Sequence, residues 1–75
     1  MTTFADVKNN AHKLLSKFQK GAINKDDLYA EGIALTCQFN ELYDSLNEAQ
    51  KAEAEDCEDM QDAGDLLTVI KHFAS

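Results

Sequence analysis

The sequence contains no proline, tryptophan or arginine, only three glycines, and no long apolar run. A helix that crosses a bilayer needs roughly 18 to 20 apolar residues in succession, so the sequence predicts no membrane span. Proteins that bind DNA, RNA or anionic membranes use clustered lysine and arginine. A chain without arginine and with a formal net charge of −7 is therefore not expected to bind these partners directly.

Cysteine is also scarce, because Cys37 and Cys57 are the only two. A small secreted scaffold that depends on disulfides usually carries more. We therefore predict two buried, reduced thiols, with a single Cys37–Cys57 bridge as the alternative. The first residues lack the apolar segment and the small-residue cleavage site of a secretory signal, so we expect a cytoplasmic protein.

The composition, 44% apolar and 28% charged, is within the range of folded globular proteins. With 75 residues the chain is near the lower size limit at which one apolar core maintains a fold. We expect a single helical domain that covers 1–75.

The first predicted helix covers about 3–20, where apolar residues recur at spacings of three and four. Thr3 is its expected N-cap, with Asp6 completing a capping box, and Gly21 is its expected end. The apolar stripe contains six residues: Phe4, Val7, Ala11, Leu14, Leu15 and Phe18. Three lysines form a basic ridge on the opposite face: Lys13, Lys17 and Lys20. We interpret that ridge as solvated or as paired with acids elsewhere in the fold.

The second predicted helix covers about 25–46 and begins at an Asn24 cap. Gly32 lies within its apolar stripe and predicts the close approach of a neighbouring helix. An additional apolar shoulder widens the stripe, and it consists of Tyr29, Ile33, Thr36 and Tyr43. Such a width is typical of a helix that contacts two neighbours. The alternative is that the shoulder is partly exposed and forms a docking patch, since tyrosine is enriched at binding hot spots.

An acidic segment, 48–65, carries eight carboxylates against Lys51 alone and accounts for nearly all of the net charge. Asn47 with Gln50 forms another capping box, so a third helix is predicted over about 48–63. On a helical wheel, six acids fall within about 120° and form a ridge. These acids are Glu48, Glu55, Glu58, Asp59, Asp62 and Asp65.

Two acids of the same segment, Glu53 and Asp56, fall on the apolar side of that wheel. The apolar stripe that follows is rotated, and Gly64 predicts a kink or break with a short fourth helix over about 65–74. The predicted fold is all-α: a small antiparallel bundle of three helices, with the third broken near Gly64.

No catalytic or metal-binding pattern accompanies these helices. An EF-hand aligned on Gly64 places Ile70 where the bidentate glutamate is required. The cysteines and histidines lack the short spacings of a zinc site. Acids surround Cys57 and oppose a thiolate. We therefore expect no enzyme, no metal and no cofactor.

The acidic ridge has two interpretations: it solubilises the bundle and pairs internally with lysines, or it docks on a basic surface of a larger protein. The distance between carboxylates one helical turn apart is similar to the distance between neighbouring phosphates along a nucleic-acid strand. The second interpretation predicts a small non-enzymatic inhibitor that mimics nucleic acid, which by analogy is typical of phage or mobile elements. The expected partner-binding residues are Glu55, Glu58, Asp59, Asp62, Asp65, Tyr29, Ile33 and Tyr43. The alternative function is a structural module that forms a homodimer through apolar helix faces.

Overall fold

The computed structural model describes residues 3–74, which form four α-helices and no strand. The helices are α1 (Phe4–Gln19), α2 (Lys25–Asp44), α3 (Glu48–Glu55) and α4 (Glu58–Ala74). The predicted all-α class is therefore confirmed. None of the helices in this range combines the length and the apolar character needed to cross a bilayer.

Helices α1, α2 and α3 begin where the capping residues predict. The hydroxyl of Thr3 accepts a hydrogen bond from the Asp6 amide at 3.2 Å, and the Asp6 carboxylate accepts one from the Thr3 amide at 3.0 Å. Asn47 and Gln50 form the same reciprocal pair at 2.8 and 3.0 Å. The side chain of Asn24 caps α2. These bonds satisfy amides that a helix start leaves without partners.

Gly21 ends the first helical segment as expected. Its φ is +77°, a left-handed conformation that side chains other than glycine rarely adopt. The Ala22 amide then donates to the Lys17 carbonyl at 2.9 Å, which closes the turn. The second helix ends at Asp44, slightly before the predicted limit of 46, because Ser45 caps it.

Helices α1, α2 and α4 form the bundle. Phe4, at the start of α1, contacts Phe39 near the end of α2 edge to face, with ring centroids 5.3 Å apart. Phe18, near the end of α1, lies 6.1 Å from Phe73 near the end of α4. Successive bundle helices therefore run antiparallel, and α4 runs parallel to α1. The buried core consists of Val7, Ala11, Leu14, Leu28, Leu35, Ala63, Leu67 and Ile70.

Helices α2 and α4 pack closely at Gly32, which is buried. A Cβ atom built on Gly32 would lie 2.8 Å from Cγ2 of Ile70. Any side chain at this position would force the two helices apart. The close approach predicted from Gly32 is confirmed.

The predicted break near Gly64 is wrong. Helix α4 runs through Gly64, and the Thr68 hydroxyl donates to the Gly64 carbonyl at 2.9 Å. The interruption lies at 56–57, where the Asp56 and Cys57 amides bond to carbonyls three residues earlier, at 3.2 and 2.9 Å. Such tight bonds commonly end a helix.

Packing explains why the interruption lies there. Ala63, Leu67 and Ile70 are buried and Ala74 is half-buried, and their spacing of four, three and four continues one stripe across Gly64. The third bundle helix is therefore the 17-residue α4. The short helix is α3, with eight residues and none buried. The predicted limits 48–63 and 65–74 are corrected accordingly.

Both cysteines are exposed and free, so the expectation of buried thiols is also wrong. Cys37 lies on the side of α2 opposite Leu28, away from the core. Cys57 lies in the bend between α3 and α4, where no other helix covers it. The alternative Cys37–Cys57 bridge is not formed.

Candidate functional site: an acidic end and an apolar groove

The acidic segment occupies one end of a molecule about 41 Å long. This end, which we call the acidic end, consists of α3, the bend at 56–57 and the first two turns of α4. Because the chain bends at 56–57, the predicted ridge is divided between two helices. Glu55 belongs to α3, whereas Glu58 belongs to α4. The acids remain clustered but do not share one helix face.

Lys8 of α1 is the lysine that neutralises part of the acidic end. Its Nζ lies 3.2 Å from Oδ1 of Asp59 and 3.4 Å from Oδ2 of Asp62. These two hydrogen-bonded carboxylates raise the pKa of Lys8 above its ordinary value. The contact connects the start of α1 to the start of α4, and it occupies two of the five predicted acidic binding residues.

Glu55 also has an internal partner. Its Oε1 accepts a hydrogen bond from the Tyr43 hydroxyl at 3.1 Å. This bond, together with partial burial and the charges of Glu55 and Asp44, raises the pKa of Tyr43. Nζ of Lys51 lies 5.1 Å from the centre of the Tyr43 ring. Tyr43 therefore positions α3 against the end of α2, a role that its predicted place in a docking patch did not include.

Five acids of this segment make neither an ion pair nor a side-chain hydrogen bond with any residue between 3 and 74, and all five are exposed. They are Glu48, Glu53, Asp56, Glu58 and Asp65. Of the predicted acidic binding residues, Glu58 and Asp65 thus remain available to a partner. Glu53 and Asp56, which fell on the apolar side of a continuous helix, face solvent because the bend turns α3 away from the core.

The predicted basic ridge lies elsewhere. Lys13 and Lys17 line a shallow groove between α1 and α2, beside Glu31 of α2. They make no ion pair with the acidic end within the described range. Sequence reasoning missed Lys8, although its place one turn after Phe4, beside the apolar stripe, could have indicated a contact with a neighbouring helix.

An apolar groove runs between α2 and α4, with a volume of about 510 Å³. Tyr29 and Ile33 form its α2 side and are 55% and 46% exposed. Gly32 and Gly64 lie in its lining, where Ile70 packs against Gly32 and Phe39 against Gly64. Of the described residues that line this α2–α4 groove, Lys71 is the only charged one. Tyr29 and Ile33 are therefore exposed, as the docking-patch interpretation requires, whereas Tyr43 does not line the groove.

No group of three or more histidine, cysteine, aspartate or glutamate side chains within residues 3–74 is arranged to hold a metal ion. No protein-family model, curated protein or solved structure matches this chain. The acidic end and the α2–α4 groove are the surface features of the described residues that bear on function.

Proposed function

We propose that this protein is a small, non-enzymatic, cytoplasmic binding module that docks its acidic end on a Lys/Arg-rich surface of a larger protein. The observation that carries this proposal is the unpaired charge: five exposed carboxylates with neither an ion pair nor a side-chain hydrogen bond occupy one end of the molecule. Internal contacts account only for Glu55, Asp59 and Asp62.

The fold does not require this concentration of charge. Helix α3 buries no residue, so the core places no demand on its sequence. Like charges crowded at one end repel one another and lower the stability of the folded state. A basic partner surface would relieve that repulsion and would accelerate association. An acidic end of this kind fits best on a surface that otherwise holds a nucleic-acid backbone, and the protein would then act as an inhibitor.

The test is capture of partners from a lysate of the source cell by the immobilised protein, followed by elution with a salt gradient. The acidic-end variant carries Glu53→Gln, Asp56→Asn and Glu58→Gln. None of these three residues forms an ion pair in the described structure. We expect this variant to lose the captured protein.

A matched control separates local charge from net charge. Asp26→Asn, Asp27→Asn and Glu31→Gln change the net charge equally but lie in the first half of α2, at the opposite end of the bundle. The control should retain the captured protein. Equal loss from both variants would show that only net charge matters and would overturn the docking proposal. DNA that displaces the captured protein would support a nucleic-acid-binding surface as the target.

A second candidate function is a helical assembly module that forms a homodimer. The observation that favours it is the α2–α4 groove, because two large apolar side chains, Tyr29 and Ile33, remain exposed at its edge. Exposed apolar surface beside a groove is typical of an interaction site.

A further inference from the structure

We infer that α3 is a conformational switch within the acidic end. It unwinds and reforms independently of the three-helix bundle, and a basic surface bound to the acidic end stabilises its helical state. The residues that attach α3 to the bundle, which we call the latch, are Tyr43, Glu55 and Gln61. The independent motion of α3 does not depend on the proposed function, whereas the response to a basic surface rests on it.

Helix α3 has little packing that attaches it to the bundle. Neither the buried core nor the partly buried apolar residues packed against it include a residue of α3. The helix has eight residues, and an isolated helix of that length is not stable in water. The turn at 45–47 and the bend at 56–57 separate it from α2 and α4. A segment with few buried contacts opens locally, at a lower free energy than global unfolding.

The latch consists of exposed polar contacts at the last residue of α3. The Tyr43 hydroxyl donates to Oε1 of Glu55 at 3.1 Å, and Nε2 of Gln61 donates to the Glu55 backbone carbonyl at 2.7 Å. Because both bonds are exposed, water replaces them when they break, and the net stabilisation from each is small. The latch therefore stabilises the packed position of α3 only weakly.

The charge at the same end of α3 opposes its helical state. Glu53 and Glu55 lie in the last turn, Asp56 is the C-cap, and the last turn has no basic residue. Carboxylates at the C-terminus of a helix meet the negative end of the helix dipole. Five carboxylates also fall within 53–59, and unwinding α3 moves those of the helix apart, because an extended chain rises about twice as far per residue as a helix. A cationic surface at this end would reduce both penalties and favour the helix.

The independent motion is tested by amide hydrogen exchange of the free protein at increasing, sub-denaturing urea concentrations. We expect the amides of 51–55 to exchange at least about tenfold faster than those of the buried residues Leu67 and Ile70. Their rates should depend little on urea, because a local opening exposes little surface. Equal protection of α3 and α4, with the same dependence on urea, would overturn the independent motion.

A pair of tyrosine variants tests the latch. Tyr43→Phe removes the hydroxyl that bonds to Glu55 but keeps the ring beside Lys51. It should accelerate exchange of 51–55 by a further factor of about two to ten and leave the core amides unchanged. The matched control is Tyr29→Phe, which removes the hydroxyl of an exposed tyrosine in the first half of α2. Equal acceleration by both variants would overturn the latch.

Oligolysine is the probe for the response to a basic surface. Bound oligolysine should slow exchange of 51–55 in the unmodified chain and in the Asp26→Asn, Asp27→Asn, Glu31→Gln control. The Glu53→Gln, Asp56→Asn, Glu58→Gln variant lacks much of the opposing charge. It should exchange more slowly than the unmodified chain without oligolysine and should respond less when oligolysine is added.

The failure of this inference is distinguishable from the failure of the docking proposal. Oligolysine that binds, as measured by calorimetry, without slowing exchange of 51–55 would overturn the switch and leave acidic-end docking intact. Oligolysine that does not bind would overturn the response to a basic surface together with the docking proposal. Fast exchange of 51–55 in the free protein, further accelerated by Tyr43→Phe, would still support the latch.

Discussion

Gly32 and Ile70 set the distance between α2 and α4, because a Cβ atom on Gly32 would lie only 2.8 Å from Cγ2 of Ile70. Ile70 is almost completely buried and cannot move aside without disturbing the core. The α2–α4 groove depends on this contact, since it is lined by both residues.

Gly32→Ala should therefore destabilise the protein by about 1–3 kcal/mol through overpacking. Gly64→Ala is the matched control, because its new Cβ would meet Cζ of Phe39 at an ordinary 3.8 Å. Alanine is a better helix former than glycine, so Gly64→Ala should stabilise the protein by about 0.5–1 kcal/mol. Urea unfolding of both variants measures the difference. Equal destabilisation by the two substitutions would show that the Gly32–Ile70 contact is not the cause.

The two asparagine caps should differ in their effect on stability. Asn24 and Asn47 each accept a backbone hydrogen bond at 2.8 Å. Asn24→Ala should lower the free energy of unfolding by about 1 kcal/mol, because α2 is part of the core. Asn47→Ala should instead fray α3, an eight-residue helix that buries no side chain and is too short to be stable alone. Amide hydrogen exchange should show faster exchange confined to α3, whereas a comparable global loss in both variants would contradict this difference.

Lys8→Gln should lower the urea midpoint at neutral pH, because it leaves Asp59 and Asp62 without their cation. Lys13→Gln removes a lysine of the same helix that has no ion pair in the described range, and it should have little effect. Pairing raises the pKa of Lys8. Its stabilisation is thus complete below the ordinary lysine pKa of about 10.4 and is lost as the pH rises through the raised value. A difference between Lys8→Gln and the unmodified chain that persisted in strong alkali would contradict this account.

The phenol of Tyr43 should titrate above the ordinary tyrosine pKa of about 10, because its hydrogen bond to Glu55 favours the protonated form. Tyr29→Phe leaves Tyr43 as the only tyrosine, so phenolate absorbance reports it alone. Adding Glu55→Gln should lower the pH at the midpoint of the Tyr43 titration. Adding Glu53→Gln, the same charge change on the same helix without this bond, should change it much less. Similar shifts from both substitutions would indicate a general effect of charge.

The starts of α1, α2 and α3, the apolar stripe of α1 and the close approach at Gly32 could be read from the sequence, because capping and helical periodicity are local properties. The bend at 56–57 could not be read with the same rules, since neither Asp56 nor Cys57 is a typical helix breaker. The bend results from tertiary packing. It lets the apolar stripe of α4 face the core, whereas α3 buries no residue that would keep it in line with α4.

The sequence nevertheless contained one indication of the bend at 56–57. A continuous helix would have buried Glu53 and Asp56, which is costly for unpaired charges. The pairing of Lys8 with Asp59 and Asp62 joins residues about fifty positions apart. The place of Lys8 beside the apolar stripe indicates a contact with a neighbouring helix, but no local pattern identifies the two acids. Of the five available acids, Glu58 and Asp65 were among the predicted binding residues, whereas Glu48, Glu53 and Asp56 were not.

If the acidic end is a local docking surface for a basic partner, the affinity for the captured protein depends on salt concentration in a way that differs between variants. For the unmodified chain and for the Asp26→Asn, Asp27→Asn, Glu31→Gln control, we predict an affinity that falls steeply with salt. For the Glu53→Gln, Asp56→Asn, Glu58→Gln variant, we predict a weaker affinity and a shallower dependence. An affinity of the unmodified chain that does not depend on salt would contradict the docking proposal. The same affinity for the control and for the Glu53→Gln, Asp56→Asn, Glu58→Gln variant would also contradict it.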